Sequence, residues 1–234
     1  MNQRFIMRNL ESAIENVYEV FSVYPLKGGL RDRSCNCCVS EEEIKELVSK
    51  PMNELSVDEI GHFVRSAVST FGDVDDLKHF LPRILELFQD RSYDIIDDFL
   101  TFEKLNYVGW KTWEKQELEV VEAYLLALWC SIVLDENASI SKLENALLVV
   151  SKYVSIEKAL DIWEIGCSKK SMELIVEYVL KGNTLRFCES DHNTFWNRLS
   201  KKTLLKKIEE LFFETKDELE ASRISVAYTL LENS

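Results

Sequence analysis

Glycine, proline and histidine are scarce in this chain, at 7, 3 and 3 of 234 residues. So little turn punctuation excludes a sheet-rich fold of many tight turns and favours helices joined by short connections. Positive charge is also short. Lys and Arg number 28 against 41 Asp and Glu, a net charge of -13, which is the wrong balance for a duplex nucleic-acid binder. No apolar run reaches the roughly 20 residues that span a bilayer. The opening segment MNQRFIMRNLESAIENVYEVF is broken by Arg8, Glu11 and Glu15, so no export leader is expected and the cytoplasm is the expected compartment. A phosphate-binding glycine loop, G-x-S-x-G, H-E-x-x-H and G-x-G-x-x-G are all missing, which removes the usual signatures of nucleotide, serine-hydrolase and zinc-protease chemistry.

Hydrophobic residues make up 46% of the chain, ample for a core. They concentrate in VVEAYLLALWCSIVL (120–134), where Glu122 is the one charge. Leu118, Val121, Leu125, Leu128 and Ile132 recur at helical spacing, and the remaining faces are apolar as well, so this helix should be buried on all sides. Cys130 lies inside it, where a free thiol behaves as a small hydrophobe. A disulfide framework across the six cysteines is therefore not expected. The pattern predicts an all-α fold. It is a multi-helix bundle or irregular α-solenoid of about 10–12 helices around a central helix at 112–134. The whole chain, 1–234, is one helical domain with a soft boundary near 135–139.

Helix signals punctuate the rest. A first helix spans 3–23 and ends before Pro25. Residues 25–39, PLKGGLRDRSCNCCV, are the least regular stretch. Ser40 with Glu43, Ser56 with Glu59, Ser141 with Glu144 and Thr215 with Glu218 have capping-box spacing. The apolar positions from Val74 to Phe88 keep helical spacing across Pro82, which predicts a kink or restart near Phe80. Residues 92–106 read as helix and 107–110 as a loop, with Thr112 capping the central helix. Starts near Ser139, Ser155, Ser168, Ser190, Ser200 and Thr215 suggest helical hairpins.

Three constellations could carry chemistry. Cys35 and Cys38 have the C-x-x-C spacing that lets two thiolates grip zinc. The remaining ligands would come from a distance, with His79 the first choice and His62, Cys167, Cys188 and His192 the others. The alternative is a pair of reduced thiols on a loop. Asp73, Asp75 and Asp76 crowd a helix start, where the macrodipole favours negative charge; a divalent cation is the other use of such a pattern, although the glycine and distal glutamate of an EF-hand are missing. From Asp73 to Glu103 nine acidic residues face three basic ones. Asp73, Asp75, Asp76, Asp90, Asp94, Asp97 and Asp98 are thus candidates for a docking surface, against the plainer reading of a solvated helix face. The basic run Arg198, Lys201, Lys202, Lys206 and Lys207 belongs to an amphipathic helix and reads as its wet side.

Residues 24–88 resemble a family of bacterial proteins with a tyrosine-proline segment, a C-x-x-C and a phrase like GDVDDFKHFLPRLLEL. The matching positions are Tyr24, Pro25, Cys35, Cys38, Gly72, Asp73, Asp76, Lys78, His79, Phe80, Leu81, Pro82 and Arg83, with Leu77 where an aromatic is expected. The resemblance covers little more than a quarter of the chain. It implies a bacterial cytoplasmic protein and brings no established activity.

Acidity and the missing catalytic signatures favour a non-enzymatic interaction module. Its most concrete form is an immunity or antitoxin-like protein that covers a basic or toxin-like protein partner by charge complementarity. The alternatives are a zinc- or thiol-dependent protein centred on Cys35 and Cys38, and a helical scaffold of a regulatory complex. Neither a membrane nor duplex nucleic acid is expected as partner.

Overall fold

The computed structural model describes residues 3–89, 98–166, 168–182, 187–199 and 201–233, with 3–9, 89 and 98–101 described by their backbone alone. Among the described residues the chain is all-α. It has twelve α-helices, three short 3₁₀ segments and a single isolated bridge between Ala67 and Phe71. The chain divides into two compact units, Leu10–Tyr124 (the N-terminal unit) and Met1–Asn9 with Leu125–Ser234 (the C-terminal unit). The division falls ahead of the 135–139 stretch that the sequence marks as a soft boundary.

Helix α1 (Gln3–Phe21) buries Leu10, Ile14, Val17 and Phe21. After a 3₁₀ turn at Leu30–Arg33 come α2 (Glu41–Leu47), α3 (Val57–Ser66), α4 (Val74–Gln89) and α5 (Asp98–Tyr107). Both predicted capping boxes here are formed. Ser40 and Ser56 accept from the amides of Glu43 and Glu59, whose carboxylates reach back to the serine amides, satisfying two otherwise unpaired donors at each helix start. The core of this unit packs α2, α3 and α4 through Ile44, Leu47, Ile60, Phe63, Phe80 and Ile84. Phe63 sits edge-on to Phe71 with ring centroids 5.3 Å apart and tilts against Phe80 at 4.8 Å.

Helix α4 does not restart at Phe80. It runs through Pro82 as one element. Pro82 cannot donate to the Lys78 carbonyl, but Leu81, Ile84 and Leu85 on the same stretch are all buried, and that packing holds the helix together across the lost bond.

Helix α6 (Lys115–Val133) contains the apolar stretch, and from Tyr124 to Val133 no residue is exposed. Its cap is not Thr112, whose hydroxyl donates to the Gly109 carbonyl within a 3₁₀ turn at Trp110–Thr112. Glu117 instead reaches back to the Glu114 amide at 3.0 Å.

The C-terminal unit holds α7 (Ile140–Tyr153), α8 (Ile156–Gly166), α9 (Lys169–Lys181), α10 (Glu189–Leu199), α11 (Lys202–Glu214) and α12 (Glu218–Glu232). α7 packs on α8 and α9, α8 on α10, α9 on α11 and α12, and α11 on α12. This is the neighbour-on-neighbour pattern of stacked hairpins. Trp129, Trp163, Tyr178 and Phe195 form its aromatic centre, and the Trp129 indole donates to the Ala159 carbonyl at 2.8 Å. Two predicted caps are displaced. Ser139, not Ser141, caps α7. Asp217, not Thr215, caps α12, while the Thr215 hydroxyl donates to the Leu211 carbonyl and closes α11. Among the described residues, no helix is long and apolar enough to cross a membrane.

Candidate functional site

The N-terminal unit carries the candidate sites, and it also carries the charge. It holds 24 acidic residues against 12 basic, a balance of -12, whereas the C-terminal unit has 17 against 16, a balance of -1. Nearly all of the chain's net charge therefore belongs to one compact unit.

The aspartates at the start of α4 are tied inward. Asp73 and Asp76 form a reciprocal cap, the Asp76 amide donating to Asp73 Oδ1 at 3.0 Å and the Asp73 amide to Asp76 Oδ2 at 2.9 Å. Asp76 is only 2% exposed and accepts two hydrogen bonds from the Arg33 guanidinium, each 2.8 Å. Burial opposes its ionisation, but the Arg33 fork and the Asp73 amide outweigh that cost and hold the carboxyl below its ordinary range. Asp75 pairs with Lys27 at 2.5 Å, and Asp73 lies 3.3 Å from Arg33. These three acids fix the 24–33 segment to α4. Asp90, Asp94 and Asp97 lie outside the described residues, and Asp98 is described only as the backbone residue that opens α5.

A second internal tie follows along α4. Lys78 Nζ lies 2.8 Å from both carboxylate oxygens of Glu117 and 3.0 Å from the Tyr24 hydroxyl, which also donates to Glu117. The ammonium sits over the rings of Trp113 and Tyr24, 4.5 and 4.6 Å from their centroids, a cation-π arrangement strengthened by exclusion of water. Next to it, His79 Nδ1 is 2.8 Å from the Tyr24 carbonyl. A carbonyl only accepts, so the ring carries its proton on Nδ1. Arg83 donates to the Leu55 carbonyl at 2.7 Å and pairs with Glu86, whose carboxylate also accepts from the Tyr18 hydroxyl. The polar residues of the GDVDDLKHFLPR phrase are thus mostly ties between segments of the unit.

The cysteine motif is built differently. Cys35, Cys37 and Cys38 bring their sulfurs within 4.8 Å of one another, with Cys35 Sγ 3.1 Å from Cys37 Sγ and Cys37 Sγ 3.7 Å from Cys38 Sγ. Cys37, passed over by the C-x-x-C spacing, sits between the two. His79 does not belong to this group, and His62 faces Glu43, its Nδ1 2.6 Å from the carboxylate. Cys167 lies outside the described residues. Hydrogen bonds from the neighbouring Cys37 and Cys38 lower the Cys35 thiol to about 7, and donating to Cys35 and Cys37, with their negative charge adding to the effect, pushes Cys38 up to about 11.

Among the described residues a further acidic surface lies on α1 and α2. Glu11, Glu15 and Glu19 follow one another at four-residue steps along the exposed side of α1, one helical turn apart each time. None is ion-paired to a described residue. Helix α2 likewise exposes Glu41, Glu42 and Glu46, with Arg31 3.4 Å from Glu41. The four-residue spacing of Glu11, Glu15 and Glu19 is readable in the sequence, but that all three lie on the exposed side is not.

No family model matches the chain, and searches of curated proteins and of solved structures find no match.

Proposed function

We propose that the protein is a helical interaction module whose acidic unit docks a basic protein partner. In its most concrete form it is a bacterial immunity or antitoxin-like protein that covers the basic active site of a toxin domain. The observation that supports this reading is the segregation of charge: a balance of -12 in the unit Leu10–Tyr124, part of it displayed as the row Glu11, Glu15 and Glu19, exposed and without an ion pair to any described residue. A single-sign field on a rigid surface accelerates encounter with a partner of opposite sign and rejects partners of like sign. With Asp73, Asp75 and Asp76 paired to Arg33 and Lys27, the unit's described unpaired acids on α1 support a docking surface that includes α1 and α2.

The test is capture of partners on the tagged protein from extract of its own host, followed by assay of what is captured. A stoichiometric basic partner whose toxic or enzymatic activity falls on addition of this protein is the expected result. No stoichiometric partner at low salt, or one whose binding is indifferent to salt, overturns the reading.

A further inference from the structure

The 35–38 loop is held more firmly than a solvated connection requires. Cys35 donates its amide to the Thr70 carbonyl at 2.8 Å, and the amides of Cys38 and Val39 donate to the Cys35 carbonyl at 3.2 and 3.0 Å, closing one turn around Asn36. Arg31 clamps both ends, donating to the Cys35 carbonyl at 3.2 Å and to the Val39 carbonyl at 2.7 Å. Leu30 and Val39, on either side of the turn, are buried in the core at 4% and 2% exposure. Thr70 belongs to a strained turn in which Val68 has φ 64, a conformation β-branched residues rarely adopt. Fixed backbone on both sides leaves the three thiols little freedom but their side-chain rotations. Cys37 and Cys38 nonetheless remain exposed and Cys35 half-buried.

We propose that Cys35, Cys37 and Cys38 form a three-thiolate surface site for a soft, thiophilic monovalent cation of the Cu(I) class. Thiolate sulfur selects soft ions over hard ones. Metal–sulfur bonds of about 2.3 Å in a trigonal plane place the sulfurs about 4 Å apart, which small rotations reach from the observed 3.1 and 3.7 Å. A structural zinc takes four protein ligands. The group here contains three, and no described histidine or carboxylate joins it. Binding replaces three S–H bonds by three metal–sulfur bonds, with three protons passing to solvent. The ion arrives and stays as Cu(I), so no electrons move. The Arg31 guanidinium on the loop carbonyls offsets part of the negative charge that results. Exposure of two of the three sulfurs suits an ion that is taken up and handed on rather than one locked in a core. This site does not depend on the docking reading.

The test is anaerobic titration of the reduced full-length protein with Cu(I) against a chromophoric Cu(I) chelator, with X-ray absorption at the copper edge. The expected result is one Cu(I) per chain with three sulfur neighbours. Cys35→Ser, Cys37→Ser and Cys38→Ser should each weaken apparent affinity by about tenfold or more, with helical circular dichroism unchanged, and Cys188→Ser should leave binding unaltered. Loss of all copper to the chelator, wild-type affinity in Cys37→Ser, or preferential uptake of Zn(II) with four ligands would each overturn the proposal.

Discussion

Lys78 and Glu117 stand 39 positions apart and form a buried two-pronged ion pair, Nζ 2.8 Å from each carboxylate oxygen. The pair joins α4 to the first turn of α6 inside the N-terminal unit, with Tyr24 bonded to both partners. Burial disfavours each charge, yet the mutual hydrogen bonds dominate, so the lysine is raised and the carboxyl lowered from their ordinary values.

Removing one member strands the other. Lys78→Ala should destabilise the protein by about 3–5 kcal/mol, whereas Lys78→Met combined with Glu117→Leu should recover most of that loss, because the cost lies in the uncompensated buried charge. Urea unfolding of the two single variants and the double variant reads this as a coupling energy. Additive losses would show that the pair is not a unit.

Gly72 has φ +68, and a Cβ built on it lies 2.8 Å from Asp76 Oδ2 and 3.0 Å from Asp76 Cβ. Gly72→Ala therefore meets both a left-handed backbone, costing about 1–2 kcal/mol, and the carboxylate that caps α4 and holds Arg33. A loss at the upper end of that range, read as a lower urea midpoint with unchanged slope, is the expected outcome. Asp76→Ala in the same background should show less than the sum of the two single losses, since the closest clashing atom, the carboxylate oxygen, is gone while the Cβ contact remains.

The Arg33–Asp76 pair has a pH signature. The Asp76 pKa is lowered on folding. The stabilisation it supplies is therefore present above the unfolded carboxyl value of about 3.9 and is lost as pH falls through the lower folded value. Arg33→Gln should cost most at neutral pH, and the gap between wild type and variant should narrow below about pH 4. Denaturation midpoints across pH 2.5 to 7 measure it. A gap independent of pH would mean that Arg33 acts by packing alone.

Much of the fold was legible because local signals agreed. Ser40/Glu43 and Ser56/Glu59 form their boxes as spaced, and Val121, Tyr124, Leu125, Leu128, Trp129, Ile132 and Val133 are buried on several faces of α6, although Ala123 is exposed. The misreadings arose where two local solutions compete. Thr112 and Thr215 satisfy preceding carbonyls instead of following amides, a choice set by backbone conformation that residue type does not reveal. Pro82 stays inside α4 because tertiary burial outweighs one missing bond. The site was less legible. Arg33 meets Asp76 across 43 positions and Lys78 meets Glu117 across 39, and no periodicity encodes such pairs. Of the acids that look like a free patch in the sequence, Asp73, Asp75 and Asp76 are paired with Arg33 and Lys27, and the α1 row becomes visible only once its exposed side is known.

The most direct test of the docking account is the association rate of the captured partner with the wild-type protein and with a Glu11→Lys, Glu15→Lys, Glu19→Lys variant, at low and high ionic strength. The account predicts association slower by about tenfold or more in the variant at low salt, with the two rates converging at high salt as screening shortens the field. Equal rates for both proteins at low salt would contradict it.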